Sequence, residues 1–207
     1  MPEKLYNELV ILEFDKLKHL YFVTTPDEET KRAYGVTSIL GVLNKPALMF
    51  WSANMAAKYV EDNLMPCKAL DEIEIKNLAE GAKNAHKIKK QFGADVGTLA
   101  HDWIEKYIKG KNPKPLTHEM AKRACESFLS WVDERKPQFI LSEKKIYSRK
   151  HNYAGTLDFT CVIDGILYLG DLKTSNAFYP EMMFQVSAYK EARQEEFPEE
   201  HYGGRLI

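Results

Sequence analysis

The dipeptide Asp164-Gly165 separates two apolar runs, Gly155-Thr-Leu-Asp-Phe-Thr-Cys-Val-Ile163 and Ile166-Leu-Tyr-Leu-Gly-Asp-Leu-Lys173. Asp-Gly between β-rich runs is a strong signal for a two-residue hairpin loop. With these two residues as the loop, Ile163 pairs with Ile166, and counting back along both strands sets Asp158 directly opposite Asp171. Opposed residues share a face, and like charges there are destabilising. Two carboxylates brought together in an otherwise apolar hairpin are most simply explained by a divalent cation.

Alternation adds a third group, because Asp171 and Lys173 are two apart on a strand and point the same way. Leu172 turns to the opposite side, into the core, which leaves its carbonyl near the metal position. Two carboxylates and an ammonium on one face are the parts needed for metal-assisted phosphodiester hydrolysis. The plain alternative is a surface hairpin with solvated charges, since Asp-x-Lys alone is a short motif.

At 207 residues, 44% hydrophobic and 29% charged, the chain is expected to form one domain with a real core. No run is long enough for a transmembrane helix, and the N-terminus has no signal-peptide pattern. Cys67, Cys125 and Cys161 are scattered and odd in number, so neither a disulfide framework nor a Cys-x-x-Cys metal site is expected. A reducing, intracellular, cytoplasmic setting fits. The net charge of −1 conceals an asymmetry: residues 76–151 carry 17 Lys and Arg against 9 Asp and Glu. A basic middle segment suits a polyanion, although solvated helix faces give similar counts.

Residues 1–36 read as a short antiparallel ribbon built on Leu9–Phe14 and His19–Val23. Val36–Asn44 reads as a helix capped by Thr37 and ended by Asn44 and Pro46, and Pro46 opens a longer helix to about Asn63 whose apolar stripe is assigned to core. Asp71 to about Phe92 is a polar helix carrying Lys83, Lys87, Lys89 and Lys90: a solvated face, or a basic wall over a nucleic-acid groove. Asp95–Lys109 is a separate amphipathic helix with His101 at the edge of its buried stripe. Thr117 caps a further helix stopped by Pro137, Phe139–Tyr147 is a strand, and Ser148–Tyr153 is a basic loop. Thr174-Ser175-Asn176 form a polar turn. Pro180 starts the last helix, on which Gln185 and Tyr189 share a face, and 201–207 begin another strand. The order implies an α+β domain with a mainly antiparallel or mixed central sheet flanked by helices.

Several ordered motifs now agree. Gly97-Thr-Leu-Ala-His101, Glu143, Gly155-Thr-Leu-Asp158, Asp171-Leu-Lys173 and Gln185-x-x-x-Tyr189 resemble the motifs of the PD-(D/E)XK nuclease superfamily, and within it the RecB-like exonuclease branch. Gly35-Val-Thr-Ser-Ile-Leu and Lys45-Pro-Ala-Leu-Met-Phe-Trp51 are similar to phage and mitochondrial genome-maintenance exonucleases. The resemblance spans roughly residues 35–207.

The resemblance implies a restriction-endonuclease-like core over 95–207, preceded by a ribbon and helical region over 1–94 that lines a DNA groove. It implies that His101, Asp158, Asp171 and the Leu172 carbonyl hold Mg2+ or Mn2+, with Asp158, Asp171 and Lys173 catalytic. Gln185 and Tyr189 would orient the site or contact the DNA backbone. Thr174, Ser175, Lys144, Lys145, Arg149 and Lys150 are expected on the substrate, with Glu143, Gly155 and Thr156 supporting. Oxygen ligands with one imidazole suit these hard ions. Leu157 stands where the superfamily's proline would precede Asp158. The cysteines do not suit the iron–sulfur cluster of some relatives, and the family usually continues one or two strands past Ile207.

The function implied is a metal-dependent DNA exonuclease acting on single strands or DNA ends, leaving 5′-phosphates, in recombination, repair or replication. Its partners would be DNA and recombination or replication proteins, with no membrane, in a bacterial or phage-infected cell. Two other readings stay open: a structure-specific endonuclease on the same scaffold, and a DNA-binding accessory subunit with a vestigial site.

Overall fold

The computed structural model describes residues 2–43, 45–65, 67–175 and 177–207. In chain order its elements are β1 (Glu3–Leu5), β2 (Val10–Asp15), β3 (Leu20–Thr25), β4 (Glu28–Gly35), α1 (Val36–Leu40), α2 (Pro46–Asn63), α3 (Glu72–Ile108), α4 (Glu119–Arg135), β5 (Gln138–Ser148), β6 (Tyr153–Ile163), β7 (Ile166–Gly170), α5 (Pro180–Glu196) and β8 (Tyr202–Leu206). The fold is α+β with a mixed, open central sheet and flanking helices. Residues 1–42 and 99–207 cluster as one compact unit and residues 43–98 as another. No helix among the described residues is long and apolar enough to cross a membrane.

The sheet of the larger unit is organised around β6. The strands β1 to β4 form a meander of antiparallel pairs. Strand β5 lies antiparallel along one edge of β6. The other edge is shared. Strand β4 takes its start, in parallel, through Tyr34–Tyr153 and Gly35–Ala154, and β7 takes its end from Phe159 to Ile163. Along that edge the two ladders leave the stretch 155–158 between them.

The hairpin register is the one the sequence implies. Ile163 pairs with Ile166 and the ladder runs back to Phe159–Gly170. Asp164 and Gly165 both have positive φ, 51° and 78°, the backbone a two-residue loop of this kind demands. Pairing stops one step short of the two aspartates. There the Leu172 amide donates to Asp158 Oδ2 at 2.5 Å, and the Asp171 amide donates to the Leu206 carbonyl of β8 at 3.0 Å.

Burial explains why β6 is fixed so firmly. Tyr153 and Leu157 pack with Ile146, Leu169 and the α5 residues Val186, Tyr189 and Ala192. Ala154 joins Tyr147 and the meander residues Leu5, Val10, Leu12, Tyr21, Val23 and Ala33. Phe159, Cys161 and Ile163 pack against Ala100 and Ile104 of α3 and Cys125 and Phe128 of α4. Phe159, Cys161 and Ile163, alternate residues along β6, supply one apolar face of the strand.

Several sequence expectations are corrected here. The helices expected at 71–92 and 95–109 are one, α3: Gly93 costs only about 1 kcal/mol within a helix, and the Gln91 amide bridges to Asp95 Oδ1 at 2.8 Å across it. The cap of α4 is His118, whose Nδ1 accepts from the Ala121 amide at 3.5 Å, rather than Thr117. Gly35, not Thr37, precedes α1, which ends at Leu40. Helix α2 has the expected bounds but no buried residue, so its apolar stripe is not core. In the smaller unit the Tyr59 ring lies so close to Gly81 that a Cβ there would meet the phenol oxygen at 2.3 Å. The sheet is mixed because β4–β6 and β7–β8 run parallel. The expected roles of Asn44 and Asn176 lie outside the described residues.

Helix α5 is tied to β8 by a charged clasp. Arg193, 5% exposed, donates Nε to Glu200 Oε2 at 2.8 Å and Nη2 to Glu200 Oε1 at 2.6 Å, with its guanidinium 3.7 Å from the Phe197 ring centre. Burial pushes the Glu200 carboxyl up, but Arg193 and the Tyr202 hydroxyl outweigh it and hold the group below its ordinary value. Arg193→Ala should cost about 3 kcal/mol, because it leaves a half-buried carboxylate without its bidentate partner. A depressed carboxyl contributes stability above its unfolded pKa and loses it as pH falls through the lower folded value. Denaturant melts should therefore show the gap between wild type and Arg193→Ala narrowing below about pH 4.

Candidate active site

His101 is placed by its helical neighbours. Ala100 and Ile104 are buried against Phe159 and Cys161, which fixes the rotation of α3 and leaves His101 half-buried at the margin of that face. Its Nδ1 lies 3.4 Å from Asp158 Oδ1. This is the edge position that the amphipathic pattern implies.

Asp158 is flanked in register by a carboxylate on either side. On the hairpin side the next position after Phe159–Gly170 is Asp171. On the other side Ser142 pairs with Phe159 and Lys144 with Leu157, so Glu143 stands opposite Asp158. Glu143 has φ of 52°, left-handed backbone inside a strand, which L residues rarely adopt without a compensating role. One ligand atom from each of His101, Glu143 and Asp158 lies within 4.8 Å of the others.

The electrostatics follow from that crowding. Burial pushes Glu143 up to about 7, with Asp158 and Glu105 adding their negative charge. Burial, then Asp158, raises Asp171 to about 6, against the pull of Lys173. For His101, burial works against the imidazolium, yet Asp158 and Glu143 outweigh it and raise its pKa. His101, Glu143 and Asp158 form a donor set suited to a hard divalent cation, which would relieve the repulsion, while Asp171, expected as a ligand, lies outside that group.

The rest of the constellation holds Asp171 in place. Asp171 is 3% exposed, its Oδ2 is ion-paired with Lys173 Nζ, and its Oδ1 accepts from Gln185 Nε2 at 3.0 Å. The same Gln185 amide lies 2.8 Å from the Tyr189 hydroxyl. Burial and then Asp171 push the Tyr189 phenol far above its ordinary range, so it stays protonated. Gly155 makes room for this tyrosine: a Cβ there would meet Tyr189 Cε1 at 2.4 Å. Leu172 packs with the α3–α4 cluster, as alternation implies.

Lys144 and Lys145 both pair with Glu3 of β1, the latter at 3.4 Å, tying the meander to β5. The Arg149 guanidinium stacks 5.6 Å from the Tyr6 ring, and the Lys150 amide donates to Glu195 Oε1 at 3.0 Å. Thr174 and Ser175 are both exposed, with the Ser175 hydroxyl donating to the Ala177 carbonyl.

Two residues absent from the sequence reading border the site. Glu105 follows His101 by one helical turn, a spacing that could have flagged it. Tyr21 of β3 shares a hydrogen bond of 3.0 Å with Thr156 Oγ1, and nothing local signals a contact across 135 residues.

No protein-family model matches the chain, and no curated protein matches it.

Three predictions test the geometry. Asp171 and Glu143 have folded pKa values above their ordinary 3.8 and 4.5, so their ionisation costs stability increasingly as pH rises from about 4 to 7. The metal-free protein should therefore gain stability in Asp171→Asn at pH 7.5 and gain little at pH 4. Mn2+ at 100 times its Kd should add about 2.7 kcal/mol at pH 7.5, and Asp158→Asn should abolish that gain in calorimetry. Separately, Gly155→Ala should cost about 1–3 kcal/mol by displacing the Tyr189 ring, readable as a lowered unfolding midpoint.

Proposed function

We propose that the chain is a metal-dependent deoxyribonuclease with a restriction-endonuclease-like core, similar to the RecB-like branch of the PD-(D/E)XK superfamily, acting as an exonuclease on single strands or DNA ends. The observation that carries this reading is the meeting of four separated segments at one point: His101, Glu143 and Asp158 within ligand reach of one another, and beside them Asp171 held by Lys173 and Gln185.

Mg2+ or Mn2+ would be held by His101 and Asp158 with Glu143 or Asp171, and supplies Lewis acidity towards the phosphodiester. Lys173 is the cation of the site that belongs to the chain itself. Seated on Asp171, its ammonium orients the attacking water and offsets negative charge growing on the phosphoryl oxygens. Gln185 stops Asp171 from rotating, and the protonated Tyr189 phenol fixes Gln185 in turn. Water attacks phosphorus in line and the bond to the 3′-oxygen breaks, giving a 5′-phosphate and a 3′-hydroxyl.

The test is cleavage of end-labelled linear and circular single-stranded DNA with Mg2+, Mn2+ or EDTA. Metal-dependent loss of the linear strand alone is expected, with Lys173→Ala reducing the rate at least about 100-fold, the scale of one transition-state donor, while the melting curve stays cooperative. Cutting of the circle would replace the exonuclease by an endonuclease. Undiminished cleavage by Lys173→Ala would remove that residue from the mechanism.

A further inference from the structure

Helix α5 has one face spent on the core and the site, through Met182, Gln185, Val186 and Tyr189. Its first turns, with the loop before them, present a different surface. Phe178 is 76% exposed, Tyr179 46%, Met183 48% and Phe184 52%. Tyr179 and Met183 are four apart, as are Pro180 and Phe184, so the apolar groups are continuous around the helix start. A cluster of three open aromatic rings is unusual on a surface unless something covers it.

Its position narrows what that is. Phe184 adjoins Gln185, whose amide holds Asp171, and Lys173 lies five residues before Phe178. One turn beyond Met183, the exposed Arg205 donates Nη1 to Ser187 Oγ at 2.7 Å, bringing a guanidinium from β8 onto the same helix. The surface is thus aromatic, borne by the helix that supplies Gln185 to the candidate site, and bordered by a cation. Bases stack on such rings without sequence preference at about 1–3 kcal/mol each, while phosphates are drawn to arginine.

We infer that Phe178, Tyr179 and Phe184 form a stacking shelf for unpaired bases of a single strand whose backbone crosses Arg205 on its way to Asp171 and Lys173. This deepens the nuclease reading and rests on it. A paired duplex keeps its bases in its own stack and cannot use the shelf, so the shelf selects for unwound ends.

The experiment compares binding, by fluorescence anisotropy in Ca2+, of three labelled probes: oligo-dT, an abasic strand of equal length, and a duplex. The wild type should bind oligo-dT at least tenfold more tightly than the abasic strand. Phe178→Ala with Phe184→Ala should lose most of that preference and leave duplex binding unchanged, and Phe184→Trp should retain it. Arg205→Ala should weaken oligo-dT and the abasic strand alike and reduce the salt slope by about 0.7. Because Phe178 and Phe184 are exposed, their substitution should leave the melting temperature unaltered, which a thermal scan checks.

Equal wild-type binding of oligo-dT and abasic strand, or a double variant that keeps the preference, overturns the shelf. A double variant with unchanged DNA binding that loses a co-purifying polypeptide assigns the surface to a protein and also overturns it. Cleavage without base preference would remove the shelf and leave the nuclease reading. Base-dependent binding with no cleavage in Mg2+ or Mn2+ would support the shelf and remove the nuclease. If neither strand is bound, both fall.

Discussion

Asp158 sits on the most deeply buried strand of the molecule with a carboxylate in register on each side, and the consequences of that repulsion reach outward. A charge taken out of water must be paired or lose its proton. The chain meets the requirement piecemeal: the Leu172 amide and His101 at Asp158, Lys173 and the Gln185 amide at Asp171. Glu143 receives less help, and burial with the charge of Asp158 raises its pKa to about 7. Much of the fold can be understood as the frame that holds these groups together despite their mutual repulsion.

That frame depends on β6 having two different neighbours along one edge. Strand β4 arrives in parallel and leaves after Ala154, and β7 pairs only from Phe159. Where the backbone ladder stops, side chains replace it: Asp158 accepts the amide that a continuing strand would have bonded to backbone. The interruption leaves Asp158 and Asp171 buried beside each other with side-chain partners in place of a continuing ladder. Rigid elements meeting at a gap are what a positioned site requires.

The meander serves the same end from farther away. Glu3 takes both Lys144 and Lys145, the Tyr6 hydroxyl donates to the Tyr147 carbonyl, and Tyr21 reaches Thr156. These contacts brace β5 and the start of β6, and Lys144 and Lys145 each meet Glu3 of the meander. A lysine count along a segment carries no information on which acid each lysine will meet.

The hairpin was legible in residues alone because its determinants are local: a loop dipeptide with positive φ, and a period of two on either side. That logic extends to the facing of Asp158 and Asp171, to Lys173 and Leu172, to the Gln185–Tyr189 pair and to the edge position of His101. Tertiary structure decided the rest. The left-handed Glu143 opposite Asp158, the Tyr21–Thr156 contact, the merging of two helices through Gly93 and the exposure of α2 all depend on which distant segment packs where. Local propensity and periodicity state which way a side chain points along its own element. They are silent on partners tens of residues away, because those are chosen by burial and by charge compensation summed over the whole core.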